Sequence, residues 1–336
     1  MNDQTIQLGH GGGGILSRDL IQHEIVSRFG GGALKELPDG ATLPMPTGHS
    51  LVFTTDSFVV QPLEFPGGNI GDLAVHGTVN DLAVCGSRPL WLSLALILEE
   101  GLPLVTLRRI LDSVKKAADD CGVKIVTGDT KVVARGQCDG LYMNTAGIGE
   151  LMEGFDLSQS RVSPGDHVLV SGTLGDHGMA VLAARAGIQI THGAVSDTGP
   201  VHRLVQAVQA VAGHIKFMRD PTRGGLAAVL NEVVENQPTG ILLNEGALPF
   251  SPGAKATAEM IGVDLLQVAS EGRVIMICDE VVSDFVLKTW RALPEGRGAA
   301  RIGVVTSGKG RVVAATVTGG RRLVDVPRGE LLPRIC

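Results

Sequence analysis

Apolar runs of strand length alternate with helix-period stretches along nearly the whole chain, and this alternation restricts the fold more than any single motif. Residues 50–60 read as a strand, 71–85 as a helix, 89–98 as a buried strand and 106–121 as an amphipathic helix. Residues 124–126 predict a strand ending in the turn Gly128-Asp129-Thr130-Lys131, and 142–149 a strand that closes the first half. A polar stretch at 155–165, with Ser163-Pro164-Gly165-Asp166 as a turn signal, marks the boundary with a second half. That half predicts strands at 167–171, 274–278 and 300–305, and a turn at 175–178. Helices are expected at 179–186, 200–211, 220–235, 254–262 and 283–291. At 336 residues the chain is long for one core, so two α/β domains of similar size are expected, with no short-period repeat.

Composition narrows the function. Net charge is −6 and only 3% of residues are aromatic, so a nucleic-acid surface of basic runs and stacking rings is excluded. No apolar stretch approaches membrane-spanning length and no signal-peptide pattern opens the sequence. Five cysteines without a CxxC pair make neither a disulfide framework nor a zinc site, which predicts a reduced, cytoplasmic, soluble protein. Forty-six glycines, about twice the usual share, come in short clusters suited to backbone that a ligand approaches closely.

The chemistry-bearing residues sit at element ends. Asp56, in Thr54-Thr55-Asp56-Ser57, ends an apolar strand, although a turn aspartate satisfying local backbone has the same look. On the 71–86 helix, Asp72, His76 and Asn80 are four apart and form one polar stripe, with Asp81 about 100° round from Asn80. That helix is mostly apolar and has no lysine, so its carboxylates need a partner or a metal rather than water alone. Gly128-Asp129-Thr130-Lys131 repeats the strand-end acid with a cation added. Asp220-Pro221-Thr222-Arg223-Gly224-Gly225 places backbone N–H groups and an arginine at a helix start. The opening Gly9-His10-Gly11-Gly12-Gly13-Gly14 lacks the ending of a Walker A loop; it is a flexible lead-in or a lid over phosphates, followed by a helix with Ser17 as its expected N-cap. Several acids, Lys131, Arg223 and glycine loops together read as Mg-nucleotide chemistry without a P-loop.

The sequence ends in Pro333-Arg334-Ile335-Cys336. A terminal thiol on an arm with nothing downstream can be loaded at one place and worked on at another, and among the cysteines only Cys336 is placed for such reach.

In chain order, Asp56, Asn80-Asp81-Leu82-Ala83, Gly128-Asp129-Thr130 and Asp220 to Gly225 resemble the PurM-like family. Its members include aminoimidazole ribonucleotide synthetase, thiamine-monophosphate kinase, selenophosphate synthetase and the HypE group of hydrogenase maturation factors. His10-Gly11-Gly12-Gly13-Gly14, the Asp220 motif and the Pro-Arg-Ile-Cys ending resemble the HypE branch in particular. Selenophosphate synthetase carries its reactive residue near the N-terminus, and here no cysteine precedes Cys85.

The resemblance implies a two-domain α/β (α+β) fold. Residues 1–155 form a mixed-sheet domain with the ATP and Mg²⁺ site that also makes a homodimer; 160–320 form a second αβ domain, and 321–336 a mobile tail. It further implies a carbamoyl dehydratase. A carbamoyltransferase, HypF, loads a carboxamide on Cys336, ATP drives its dehydration to a thiocyanate, and the cyano group passes to iron for [NiFe]-hydrogenase through a HypC–HypD complex. By similarity Asp56, Asp81 and Asp220 are the Mg²⁺ ligands, with Asp129 as a possible fourth. The nucleotide is held by His10 to Gly14, Asn80, Asp129, Thr130, Lys131, Thr222, Arg223 and Gly224. Cys336 is the modified residue, Lys131 offsets charge, and Glu271 is the first choice of base, with His76 and Asp81 as alternatives. Two other readings stay open: a small-molecule kinase or synthetase on the same fold, which would not need Cys336, and a non-enzymatic thiol carrier.

Overall fold

A computed structural model of the chain describes residues 5–12, 14–30, 40–48, 50–188, 192–308, 310–326 and 334–336. The first half opens with α1 (Ile15–Leu20), which runs through a π-helical turn (Ile21–Val26) into α2 (Ser27–Phe29). Then come β1 (Leu51–Phe58), a small hairpin of β2 (Glu64–Phe65) and β3 (Gly68–Asn69), α3 (Ile70–Val84), β4 (Ser87–Glu99), α4 (Leu104–Cys121), β5 (Lys124–Val133) and β6 (Leu141–Leu151). Four of these strands form a mixed sheet in the order β1-β6-β4-β5, with the β4–β5 pair parallel and crossed over by α4. A capping box starts α3: the Asn69 side chain accepts from the Gly71 N–H at 2.8 Å while Asp72 accepts from the Asn69 N–H at 2.8 Å. On α4, Leu107, Ile110, Leu111 and Val114 face the core while Lys115–Asp119 and Lys116–Asp120 pair on the outside, and the helix ends at Gly122 in the left-handed region.

The second half contains β7 (His167–Val170), α5 (Asp176–Arg185), α6 (His202–Ala207), β8 (Ile215–Arg219), α7 (Gly225–Val234), β9 (Thr239–Asn244) and α8 (Pro252–Ile261). It closes with β10 (Ile275–Cys278), α9 (Glu280–Arg291), β11 (Ala300–Ser307), β12 (Val312–Ala315) and β13 (Arg321–Leu323). Its seven-stranded sheet has the order β13-β12-β9-β11-β7-β10-β8. One apolar cluster joins the halves: Leu73 and Val79 of α3 share it with Met179, Ala254 and Val268 of the second domain, and with Ile335. On the first sheet α3 and α4 cover one face, whereas Leu51, Phe53 and Ile97 remain exposed on the other. No helix among the described residues is long and apolar enough to cross a membrane.

Several local expectations are corrected. Gly14, not Ser17, is the N-cap of α1, and Ser17 lies inside the helix. Residues 128–131 are not a turn: β5 continues to Val133 because β4 supplies a parallel partner along its whole length, and Gly128 is where the Leu94 carbonyl presses in. Asp176 to Gly178 belong to the first turn of α5, not to a turn before it. The helix expected from Asp220 begins at Gly225, because Gly224 and Gly225 both take positive φ values and a strand, β8, delivers Asp220. Strands β8, β9 and β12 escaped the periodicity because each is only four to six residues long. The tail's first residues, expected as a free polar arm, form the edge strand β13.

Candidate active site

Four carboxyl groups meet where the two domains touch. β1 brings Asp56 and α3 brings Asp81, and the Thr54 hydroxyl on β1 donates to Asp81 Oδ2 at 2.9 Å. Gly77 permits this approach, since a Cβ there would lie 2.9 Å from the Phe58 ring. From the second domain, β8 delivers Asp220 and the loop before β10 delivers Glu271. The two are tied together by the Ser270 N–H donating to the Pro221 carbonyl at 2.9 Å. Burial pushes Asp81 up to about 6, with Asp56 adding to the effect, and pushes Asp220 up to about 7, with Asp81 adding. Glu271 is raised well above the usual range by burial and then by Asp220, Asp197, Asp56 and Asp81, and its Oε1 is buried with no hydrogen-bond partner. Burial also raises Asp56, with the Arg223 guanidinium acting against it. These acids repel one another without a cation between them. No three described His, Cys, Asp or Glu side chains converge tightly enough to hold a metal by themselves, so Asp56, Asp81 and Asp220 do not form a closed ligand set.

The polar stripe of α3 forms the domain seam. Asn80 is buried and donates to the carbonyls of Gly199 and Glu271, both at 3.0 Å, while its Oδ1 accepts from the Val201 N–H at 2.8 Å. Asn80, expected to hold nucleotide, is thus spent on joining the domains. His76 Nδ1 lies 3.3 Å from the Thr198 hydroxyl, and burial lowers it to about 4. It sits beside His202 and Asp120 rather than the acid cluster, which removes the geometric basis for His76 as a base.

A second group lies elsewhere. Asp129 and Lys131, paired at 2.9 Å, are exposed on β5. Register places Asp129 in one row with Ala95, Asn144 and Ser57, so it faces the uncovered side of the sheet; three strand spacings, about 14 Å, separate it from Ser57, and Asp56 is the next residue, turned to the opposite face. Thr130 donates its N–H to Asp129. The glycine loop packs here too: a Cβ on Gly11 would lie 2.9 Å from Val132, and His10 is buried with its Nδ1 accepting from the Gln7 N–H at 3.0 Å. Gly12 and Gly14 flank this loop, and Gly13 lies outside the described residues. Lys131 and Arg223, expected to face one phosphate, therefore belong to separate groups within this chain. Thr222 accepts the Gly225 N–H at 2.9 Å at the turn into α7, beside exposed Arg223 and αL Gly224.

Sequence reasoning placed Cys336 on an arm; the structure docks it. The Val59 N–H donates to the Cys336 carbonyl at 3.1 Å and the Gln61 N–H to the Arg334 carbonyl at 3.2 Å, so the last three residues run alongside the segment that leaves β1. Cys336 thereby lies three residues along the chain path from Asp56. Ile335 is buried in the shared core. Three supporting residues were missed: His177, which contacts the Ile335 carbonyl; Arg185, which donates to the Arg334 carbonyl at 2.6 Å; and Asp197, whose Oδ1 accepts from the Glu271 N–H at 3.1 Å. His177 stood in the Gly-Asp-His-Gly sequence, where a histidine at a glycine-opened helix start was the available signal.

Residues 38–151 match the family model described as AIR synthase related protein, N-terminal domain, and residues 163–315 the one described as AIR synthase related protein, C-terminal domain. Carbamoyl dehydratase HypE of Rhodobacter capsulatus is 46% identical over 339 residues, spanning 100% of this chain and 99% of that protein. A crystal structure of hydrogenase maturation protein HypE in complex with ATP superposes with a TM-score of 0.94 at 42% identity, over 99% of this chain and 100% of that one. A crystal structure of a HypE–HypF complex gives 0.81 at 41% identity, over 92% and 99%. The chain belongs to the AIR synthase related family, within its group of HypE hydrogenase maturation proteins.

Proposed function

We propose that this chain is an ATP-dependent carbamoyl dehydratase whose substrate handle is its own Cys336. The observation that carries this reading is the seating of the last three residues against the segment that follows β1, the strand that carries Asp56, with Ile335 in the core shared by both domains. The HypE relative whose solved structure holds ATP supports the nucleotide, and the one solved with HypF supports a carbamoyltransferase as the loading partner.

A carboxamide oxygen is a poor leaving group. In this reading the oxygen of the Cys336 S-carboxamide takes the γ-phosphoryl group of ATP as the nitrogen gives up its first proton, leaving a C=N–H group and releasing ADP. Loss of the remaining N–H proton then expels phosphate and leaves the thiocyanate, so the water removed ends up in the phosphate. Glu271 suits the base because burial and neighbouring carboxylates give it a high proton affinity. Mutually repelling Asp56, Asp81 and Asp220 would hold Mg²⁺ together with the phosphates rather than as a closed protein ligand set, and the cation would supply positive charge there. Arg223 lies close enough to act on Asp56 and supplies a further positive charge.

Homodimerisation through the uncovered sheet face would bury Leu51, Phe53 and Ile97 and bring Asp129 and Lys131 to a subunit boundary. A C-terminal segment after β13 that leaves for loading and returns for dehydration, hand-over to a HypC–HypD complex, and work in the reducing cytoplasm complete the reading. The test is the mass of the C-terminal peptide after carbamoylation, before and after ATP: loss of one water confined to Cys336 is expected. Normal yields of cyanide-ligated iron from a Cys336→Ser variant would overturn the proposal.

A further inference from the structure

His177 is wholly buried, packed edge-on to Phe65 with ring centroids 5.3 Å apart, and no step of the chemistry above uses it. Its hydrogen bonds determine its tautomer. The Ser196 hydroxyl oxygen already accepts from the Thr198 N–H at 3.1 Å, so its own proton is free to point at His177 Nδ1, 2.8 Å away. The Ile335 carbonyl can only accept, so the ring proton sits on Nε2 and donates to it at 2.5 Å, which leaves Nδ1 to accept from Ser196. Burial keeps the ring neutral by lowering its pKa to about 4, so this arrangement persists across the physiological range.

The same residue reaches the chemical side of the cleft. The His177 N–H donates to Asp197 Oδ1 at 3.2 Å, and that oxygen also takes the Glu271 N–H at 3.1 Å. One carboxylate thus ties the residue that holds the tail to the loop that carries Glu271, and Arg273 pairs with its other oxygen at 3.3 Å.

Arg185, also on α5, donates to the next carbonyl back, that of Arg334, at 2.6 Å, and the other tail contacts differ in kind. Pairing with Val59 and Gln61 is main chain to main chain and would hold any sequence. Arg334 takes φ +58 to turn the chain inward, a conformation that a non-glycine residue adopts at a cost. Its guanidinium pairs with Asp139 and donates to the Tyr142 hydroxyl at 2.9 Å on the first domain. Departure of the tail leaves the His177 Nε2–H buried without this acceptor, which penalises the undocked state.

We propose that His177 is a positioning residue: its Nε2–H grips the penultimate carbonyl of the docked tail, favours dehydration of the loaded thiol, and opposes release of the tail for loading. This rests on the carrier role of Cys336 proposed above. The test compares wild type with His177→Ala and His177→Gln, glutamine keeping an amide donor at the Nε2 position. Three readouts are taken: removal of Cys336 by carboxypeptidase (intact mass), single-turnover dehydration of carbamoylated protein, and the rate of carbamoyl loading by the transferase. His177→Ala is expected to speed carboxypeptidase removal about tenfold and slow dehydration about tenfold, with loading equal or faster, and His177→Gln is expected to restore most of both.

Unchanged tail protection in His177→Ala overturns the proposal, whether or not dehydration falls. So does a uniform loss of all three readouts that glutamine does not rescue, since that describes a merely structural role. If wild-type protein shows no ATP-driven loss of water from Cys336, the carrier reading fails instead, and the carboxypeptidase comparison still decides whether His177 grips the tail.

Discussion

Replacing Asp220 with asparagine offers the sharpest check on the electrostatics of the site. Asp220 is 9% exposed, and burial followed by repulsion from Asp81 lifts its pKa from an ordinary 3.8 to about 7. Below pH 3.8 the carboxyl is protonated in folded and unfolded chains alike. As pH rises from there to about 7, the unfolded chain gives up its proton while the native state retains it, so native stability falls; above 7 the deficit is complete. At about 1.4 kcal/mol per pH unit of displacement, the deficit is on the order of 4 kcal/mol at pH 8 and less than about half of that at pH 5. Asparagine keeps the shape without the charge. In nucleotide-free protein, Asp220→Asn is therefore expected to raise the urea unfolding midpoint at pH 8 by clearly more than at pH 5. Trp290, buried in the same domain, provides the fluorescence readout. Dehydratase activity should disappear in the same variant, because stability and function are opposed at this position. An equal gain at both pH values, or a loss at pH 8, would refute the view that Asp220 is held charged against its environment.

Asn80→Ala removes three buried interdomain hydrogen bonds and strands the Val201 N–H, so a loss of about 3 kcal/mol is expected in urea unfolding; a change below 1 kcal/mol would mean that water replaces the side chain. Gly225→Ala forces a side chain onto φ +59 and sets its Cβ 2.6 Å from the Val268 carbonyl, which should cost about 2 kcal/mol or more in the same assay. Glu271→Gln should retain ATP binding by calorimetry yet lose single-turnover dehydration, and undiminished turnover would remove Glu271 as the base.

Much of the first domain was legible because its elements carry strong periodic signals. The α4 stripe and the long β4 run could hardly be read otherwise, and Asp56, Asp81, Asp220 and Glu271 were all named before the structure gathered them. Where the reading failed, tertiary partners decided the outcome. Gly128-Asp129-Thr130 has turn composition, but parallel pairing with β4 straightens it. The four-residue spacing of Asp72, His76 and Asn80 correctly gave a shared helix face. Nothing local could say that this face meets another domain rather than a nucleotide. Lys131 and Arg223 appeared equivalent as cations near acids, and only the strand order β1-β6-β4-β5 separates them. His177 could not be found by type alone, since its importance comes from a carbonyl 158 residues away.

One covalent adjacency links the seam to the site. Asn80 and Asp81 are neighbours on α3, pointing about 100° apart: Asn80 grips the carbonyl of Glu271, and Asp81 accepts from Thr54 beside Asp56. Closing the domains on Asn80 therefore necessarily delivers Glu271 to the acids of the first domain. The electrostatic arrangement this creates is unfavourable by itself, as the raised proton affinities of Asp81, Asp220 and Glu271 record. It persists because the Asn80 hydrogen bonds and the shared apolar cluster, Ile335 included, offset the repulsion. A docked tail thus contributes apolar contact to the closed state as well as its thiol, and on the proposed carrier reading its departure is expected to loosen the Glu271 loop through Asp197. Cations that neutralise the acids should bias that equilibrium in the same direction as the tail does, toward closure.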